Sequence, residues 1–218
     1  MKKSKNTIIW DFNGTILDDV ETGIISVNKL LRDRGLKEIE SKEEYRRVFR
    51  FPVKDYYVTL GFDFDKEPYE VVAPIWVEQY MINVKNAKTY PDVVDAIRYF
   101  KNNGYYQVIL SATERNMLIG QLEGLGIADY FDEILGLDNI HANSKEEIGK
   151  AWVESHRDDN IIMIGDTDHD LCVAKAMGVR GVLICRGHQS GEYLRSLGAE
   201  VYENMEEFLK KYDYLLTT

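Results

Sequence analysis

Ile8-Ile9-Trp10-Asp11-Phe12-Asn13-Gly14-Thr15-Ile16-Leu17 decides the fold. An apolar run of strand length ends in one acidic residue, and a polar turn containing glycine follows at once. Open α/β sheets bind ligands at the carboxyl ends of their strands, so this order puts a carboxylate where a ligand would lie. A carboxylate held there can act as a nucleophile. Residues 7–12 are therefore predicted as a buried strand.

Working outward, Val20, Ile24, Val27, Leu30 and Leu31 recur at helical spacing, which predicts a helix over 19–34 that Gly35 stops. Residues 41–49, 53–60 and 66–84 read as further helices. Ser41 with Glu44 has the form of a capping box. No strand is predicted from 18 to 85. After Pro91 the pattern alternates: helix 92–103, strand 106–111, helix 115–125, strand 131–135, helix 144–156, strand 160–164, helix 168–177, strand 181–185 and helix 192–197. Ser144 and Glu147 form a second capping-box signal. Strands alternating with helices imply a parallel sheet. The expected fold is α/β: a doubly wound, parallel, Rossmann-like core built from 1–17 and 86–218, with an all-helical cap inserted at 18–85.

The chain has 218 residues, 44% apolar and 29% charged, with net charge −10. This describes a globular protein large enough for a substantial core. The acidic balance argues against a nucleic-acid partner held through phosphates. No apolar run approaches the ~20 residues of a membrane span, and the Lys-rich start has no signal-peptide pattern. Cys172 and Cys185 form neither a metal motif nor a disulfide framework, so a cytoplasmic location is expected.

Four clusters fall at strand ends or helix starts. They are Asp11 with Asn13, Gly14 and Thr15; Ser111 after Val108-Ile109-Leu110; Lys145; and Gly165-Asp166-Thr167-Asp168-His169-Asp170 after Ile161-Ile162-Met163-Ile164. An acidic nucleophile, a hydroxyl, a lysine and an acidic pair suit phosphoryl transfer, which depends mostly on positioning and charge stabilisation. Mg²⁺ takes oxygen ligands of this kind. Asp166 and Asp170 can also be read as helix N-terminal residues favoured by the dipole.

These motifs, in this order, resemble the haloacid dehalogenase-like hydrolase superfamily over nearly the whole chain. The branch they look most like is the phosphoglycolate phosphatase type with a helical cap. The resemblance implies Asp11 as the nucleophile that becomes an aspartyl phosphate. Asn13 would offer its backbone carbonyl to Mg²⁺, and Asp11, Asp166 and Asp170 would complete the metal site. Ser111 and Lys145 would hold the phosphoryl group, with Gly14, Thr15 and Ala112 beside it. The implied partner is a small phosphorylated metabolite, the cofactor is Mg²⁺, and the protein would be a monomer or homodimer without membrane or nucleic-acid partners.

Asn13 departs from the family pattern, which has a second carboxylate there as general acid and base. An amide cannot shuttle a proton near neutral pH, and such help is worth about 10²–10⁴ in rate. Three readings follow: a substrate with a good leaving group; another proton carrier (Asp18, Asp19, Glu114 or His169); or a slow hydrolase or non-catalytic phospholigand-binding protein on the same fold. In the cap, Arg50 is the candidate for the substrate's non-reacting end. His141, His156 and His188 read as surface or loop residues.

Overall fold

The computed structural model describes residues 5–137, 144–156 and 159–217. In chain order the strands are β1 (Asn6–Trp10), β2 (Leu17–Asp18), β3 (Lys88–Thr89), β4 (Tyr106–Glu114), β5 (Glu133–Leu137), β6 (Asn160–Gly165), β7 (Arg180–Ile184) and β8 (Glu200–Tyr202). The α-helices are α1 (Val20–Asp33), α2 (Lys42–Val48), α3 (Val53–Thr59), α4 (Tyr69–Asn83), α5 (Pro91–Asn102), α6 (Arg115–Gly124), α7 (Lys145–Glu154), α8 (Asp168–Met177), α9 (Gly191–Ser196) and α10 (Met205–Thr217).

The main sheet runs β5-β4-β1-β6-β7-β8, and every neighbouring pair is parallel. Side chains alternate across it, as strand geometry requires. Ile8 and Trp10 of β1 enter a core with Val93, Ile97 and Phe100 of α5, Leu118 and Leu122 of α6, and Phe208 of α10. Ile9 faces the other way, into a core with Trp152 of α7 and Val173, Ala174 and Met177 of α8. Both faces are covered, which is why β1 and β6 read as continuous apolar runs. The indole of Trp10 donates to Gln107 Oε1 at 3.0 Å, so the one polar atom it buries is paired.

The chain leaves β1 toward β4 on one side and returns to β6 on the other, which makes the carboxyl end of β1 the topological switch point. Trp10 pairs with both Ile109 and Ile164. That register sets Asp11, Ser111 and Asp166 at neighbouring strand ends.

Helices α1–α4 pack around a separate apolar cluster that includes Val27, Leu30, Leu31, Tyr45, Tyr56, Tyr57 and Val72. β2 and β3, which flank them in sequence, form a two-stranded antiparallel ladder with Leu17 opposite Thr89 and Asp18 opposite Lys88. This ladder was not expected; two-residue strands are too short to show an alternation. β8 and α10 were also not expected, although Met205, Phe208, Leu209 and Tyr212 carry helical spacing. Ser41 caps α2 by accepting from Glu44 N, but Glu44 turns its carboxylate to Glu40 N, so the reciprocal half of the box is missing. Ser144 and Glu147 make the full box. Among the described residues no helix is long and apolar enough to cross a membrane.

Candidate active site

The ends of β1 and β6 and the first turns of α7 and α8 bring four charged side chains together. Asp11 follows β1, Asp166 follows β6, Asp170 lies in the first turn of α8, and Lys145 begins α7. All four are at least nine-tenths buried. Carboxylate oxygens of Asp11, Asp166 and Asp170 lie within 4.8 Å of one another. Local capping explains the placement. Thr167 caps α8, and Asp170 Oδ2 accepts from the Thr167 hydroxyl at 2.7 Å and from Thr167 N at 3.0 Å. The other oxygen, Oδ1, accepts from Lys145 Nζ at 2.6 Å, and the same ammonium donates to Asp11.

Two glycines make room for Asp166. A Cβ on Gly187 would lie 2.0 Å from its Oδ2, and one on Gly14 would lie 2.4 Å away. Gly14 also has φ +74°, a backbone conformation that disfavours side chains.

The cluster holds more negative charge than it neutralises. Burial, with a further push from Asp170, raises Asp11 to about 6 despite the Lys145 ammonium. Burial raises Asp166 to about 8; His188 opposes the shift, while Asp11 and Asp170 add to it. Burial also acts on Asp170, but Lys145 and the Thr167 hydroxyl hold it below the usual carboxylate range. Three converging oxygen donors with surplus charge fit a hard divalent cation such as Mg²⁺.

Asn13 is locked into a hydrogen-bonded chain. Its Oδ1 accepts from Thr113 Oγ1 at 3.1 Å, and the Thr113 hydroxyl and N–H both meet Ser111 Oγ at 3.1 Å. Its Nδ2 donates to Asp19 Oδ2 at 2.9 Å and to Tyr80 Oη at 2.7 Å, and Tyr80 donates onward to Asp19 at 2.5 Å. Burial pushes Asp19 up, but the charge of His188 and the hydrogen bonds from His188, Tyr80 and Asn13 hold it below the usual range. Of the alternative proton carriers, only Asp19 touches Asn13. Asp18 is exposed on β2, Glu114 caps α6 by accepting from Asn116 N and Met117 N, and His169 stacks on Phe51 at 4.8 Å.

The other predicted site residues have these surroundings. The Gly14 N–H is engaged by Asp19 Oδ1 at 2.8 Å and Leu17 O at 3.0 Å. The Thr15 hydroxyl donates to Asp166 at 3.1 Å. Ala112 is exposed at the register shift of β4. Arg50 lies 3.6 Å over the Tyr193 ring and donates to Phe49 O at 2.5 Å. His188 lies in the loop after β7, as expected, but its ring is mostly buried. Its N–H donates to Asp166 Oδ2 at 2.6 Å, its Nε2 lies 3.2 Å from Asp19, and Tyr45 Oη meets Nδ1 at 2.9 Å. Burial works against its charge, but Asp19 and Asp166 raise it to about 9. Nothing in the local sequence marks it, because both acidic partners are far away in the chain. His156 lies half-buried against Trp152, and His141 is outside the described residues.

The model of the haloacid dehalogenase-like hydrolase family matches residues 8–184, a span that holds every member of the acidic cluster. The chain belongs to this family. This haloacid dehalogenase-like hydrolase is 25% identical over 215 residues to a protein of Dickeya dadantii named probable phosphatase IndB, covering 90% of this chain and 88% of that one. It is 24% identical over 196 residues to the phosphoglycolate phosphatase of Mesorhizobium japonicum, covering 85% of each. A haloacid dehalogenase-like family protein from Streptococcus pneumoniae has the same fold, with TM-score 0.78 at 21% identity, covering 97% of this chain and all of that one.

Proposed function

We propose that the protein is a Mg²⁺-dependent phosphatase that hydrolyses a small phosphorylated metabolite through a phosphoryl group carried on Asp11. The observation that carries this reading is the contact of Lys145 with both Asp11 and Asp170 inside a buried trio of carboxylates. In this reading the Asp11 carboxylate attacks phosphorus and the bond to the leaving oxygen breaks. Water then attacks the aspartyl phosphate, releasing inorganic phosphate and restoring Asp11. Lys145 offsets the charge that gathers as Asp11 meets the phosphoryl oxygens. Ser111 hydrogen-bonds the same oxygens. Mg²⁺, held by Asp11, Asp166, Asp170 and the Asn13 carbonyl, would neutralise the phosphoryl oxygens. Residues 18–85 serve as a cap that excludes water during transfer. The expected location is the cytoplasm. A phosphate-release screen over a metabolite panel with and without Mg²⁺ tests the proposal; no release from any compound would refute it.

The raised carboxylates give a pH signature. A carboxylate whose folded pKa lies above its unfolded value stabilises the fold most at low pH and loses that contribution as pH rises. The loss begins near their ordinary value of 3.8 and is complete once pH has passed about 6 for Asp11 and about 8 for Asp166. These two groups should therefore lower the Tm of the metal-free protein from about pH 4 to about pH 8. Mg²⁺ needs the ionised oxygens, so the Tm gain at fixed Mg²⁺ should grow with pH over the same range. Thermal melts check this; a gain independent of pH would contradict it.

The surroundings of Asn13 favour an amide there. Asn13→Asp would set a second carboxylate against Asp19, and the Tyr80 hydroxyl can donate to only one of them. The substitution should lower stability by about 1–3 kcal/mol, more at pH 8 than at pH 6. Melting curves at the two pH values measure this; an unchanged Tm would contradict the account.

A further inference from the structure

Beside the acidic cluster lies a continuous strip of aromatic rings that the reading above does not use. His188, whose backbone N–H donates to Asp166, is 5.4 Å from Phe49 between ring centroids. Phe49 is 5.4 Å from Phe51, edge to face. Phe51 stacks on His169 at 4.8 Å, and His169 is the residue before Asp170. The strip therefore joins the loop after β7 to the first turn of α8, which carries Asp170. Tyr45 and Tyr56 back Phe49 from the helical segment. Phe51 keeps 37% of its surface exposed, although it is large and apolar.

Two arginines of the same segment, Arg46 and Arg50, are engaged elsewhere. Arg46 donates to Gly187 O at 2.9 Å and to Arg186 O. Arg50 lies flat on Tyr193. A carboxylate on the substrate would want a guanidinium fork, whereas this strip offers ring faces and edges, which suit another ring.

The chemistry at Asn13 points the same way. Without a carboxylic acid at that position, the leaving oxygen must depart with little protonation. A phenolic oxygen, with a pKa of about 10, tolerates this far better than an alkoxide. Resting on the phosphatase reading, we infer that the substrate is a small aryl phosphate, its ring held against Phe51 and Phe49 and its phenolic oxygen leaving from phosphorus. The bond from Asp11 to phosphorus forms as the phosphorus–phenolate bond breaks. The phenolate takes its proton from solvent, and water then cleaves the aspartyl phosphate.

Steady-state kinetics with 1-naphthyl phosphate, phenyl phosphate, acetyl phosphate and phosphoglycolate test the inference. Acetyl phosphate has the better leaving group but no ring, so it separates ring recognition from leaving-group acidity. Both aryl phosphates should show the lower KM, about tenfold or more below acetyl phosphate. Phosphoglycolate should be the poorest of the four. In Phe51→Ala and in the better-packed Phe51→Leu, the ratio of kcat/KM for 1-naphthyl phosphate to that for acetyl phosphate should fall about tenfold, through KM. Turnover of acetyl phosphate or phosphoglycolate with no aryl preference, or an unchanged ratio in both variants, would overturn this inference and leave the phosphatase reading standing. No phosphate from any of the four would overturn this inference, while the phosphatase reading is decided by the metabolite panel.

Discussion

Asp11→Asn is expected to reduce Mg²⁺-dependent phosphate release by at least about 10⁴-fold, the scale seen when a covalent nucleophile is removed. The amide has nearly the same shape and sits at the same strand end, so the sheet should survive. Lys145 keeps its second partner, Asp170, at 2.6 Å. What is lost is the charged oxygen that would bond to phosphorus, together with one member of the carboxylate trio. Single-turnover phosphate release, with circular dichroism to confirm folding, measures the effect. A rate within about a hundredfold of the parent would point instead to direct attack by water, since acid–base help alone reaches that scale.

Lys145→Met should cost about 3–5 kcal/mol of stability, the usual result of removing one partner from a buried ion pair. Methionine fills much of the volume, so the loss is electrostatic. Burial works against the lysine's charge, yet Asp11 and Asp170 hold it protonated well above neutral pH. Without it, three buried carboxylates face one another, and the charge of His188 acts on Asp166. They can answer by taking up protons, so the deficit should be smaller at pH 5.5 than at pH 8 (about the range over which Asp11 and Asp166 titrate). Mg²⁺ should restore part of the loss. Denaturant melts at the two pH values, with and without Mg²⁺, give the comparison, and a pH-independent loss would contradict the electrostatic origin.

Much of the fold was legible because its signals are local. The apolar runs of β1 and β6, the glycines that stop helices and the capping box at Ser144 all act within a few residues. The family resemblance located Asp11, Lys145, Asp166 and Asp170, and the sheet register explains why they converge. The β2–β3 ladder was hidden because its strands are two residues long and 70 positions apart. His188, Thr113 and Tyr80 were hidden for a different reason. Each acts through partners brought near only by the fold: Asp19 and Asp166 for His188, Asn13 for Thr113, and both Asn13 and Asp19 for Tyr80. Arg50 shows the converse. Its basic–aromatic neighbourhood suggests a ligand, but its contact with the face of Tyr193 could not be read from the sequence.

The central claim is that Asp11 carries the phosphoryl group. Its most direct test is peptide mass spectrometry on protein acid-quenched during turnover of acetyl phosphate with Mg²⁺. The account predicts one added phosphoryl group on the peptide containing Asp11, absent in Asp11→Asn. Steady turnover with that peptide unmodified throughout would contradict it.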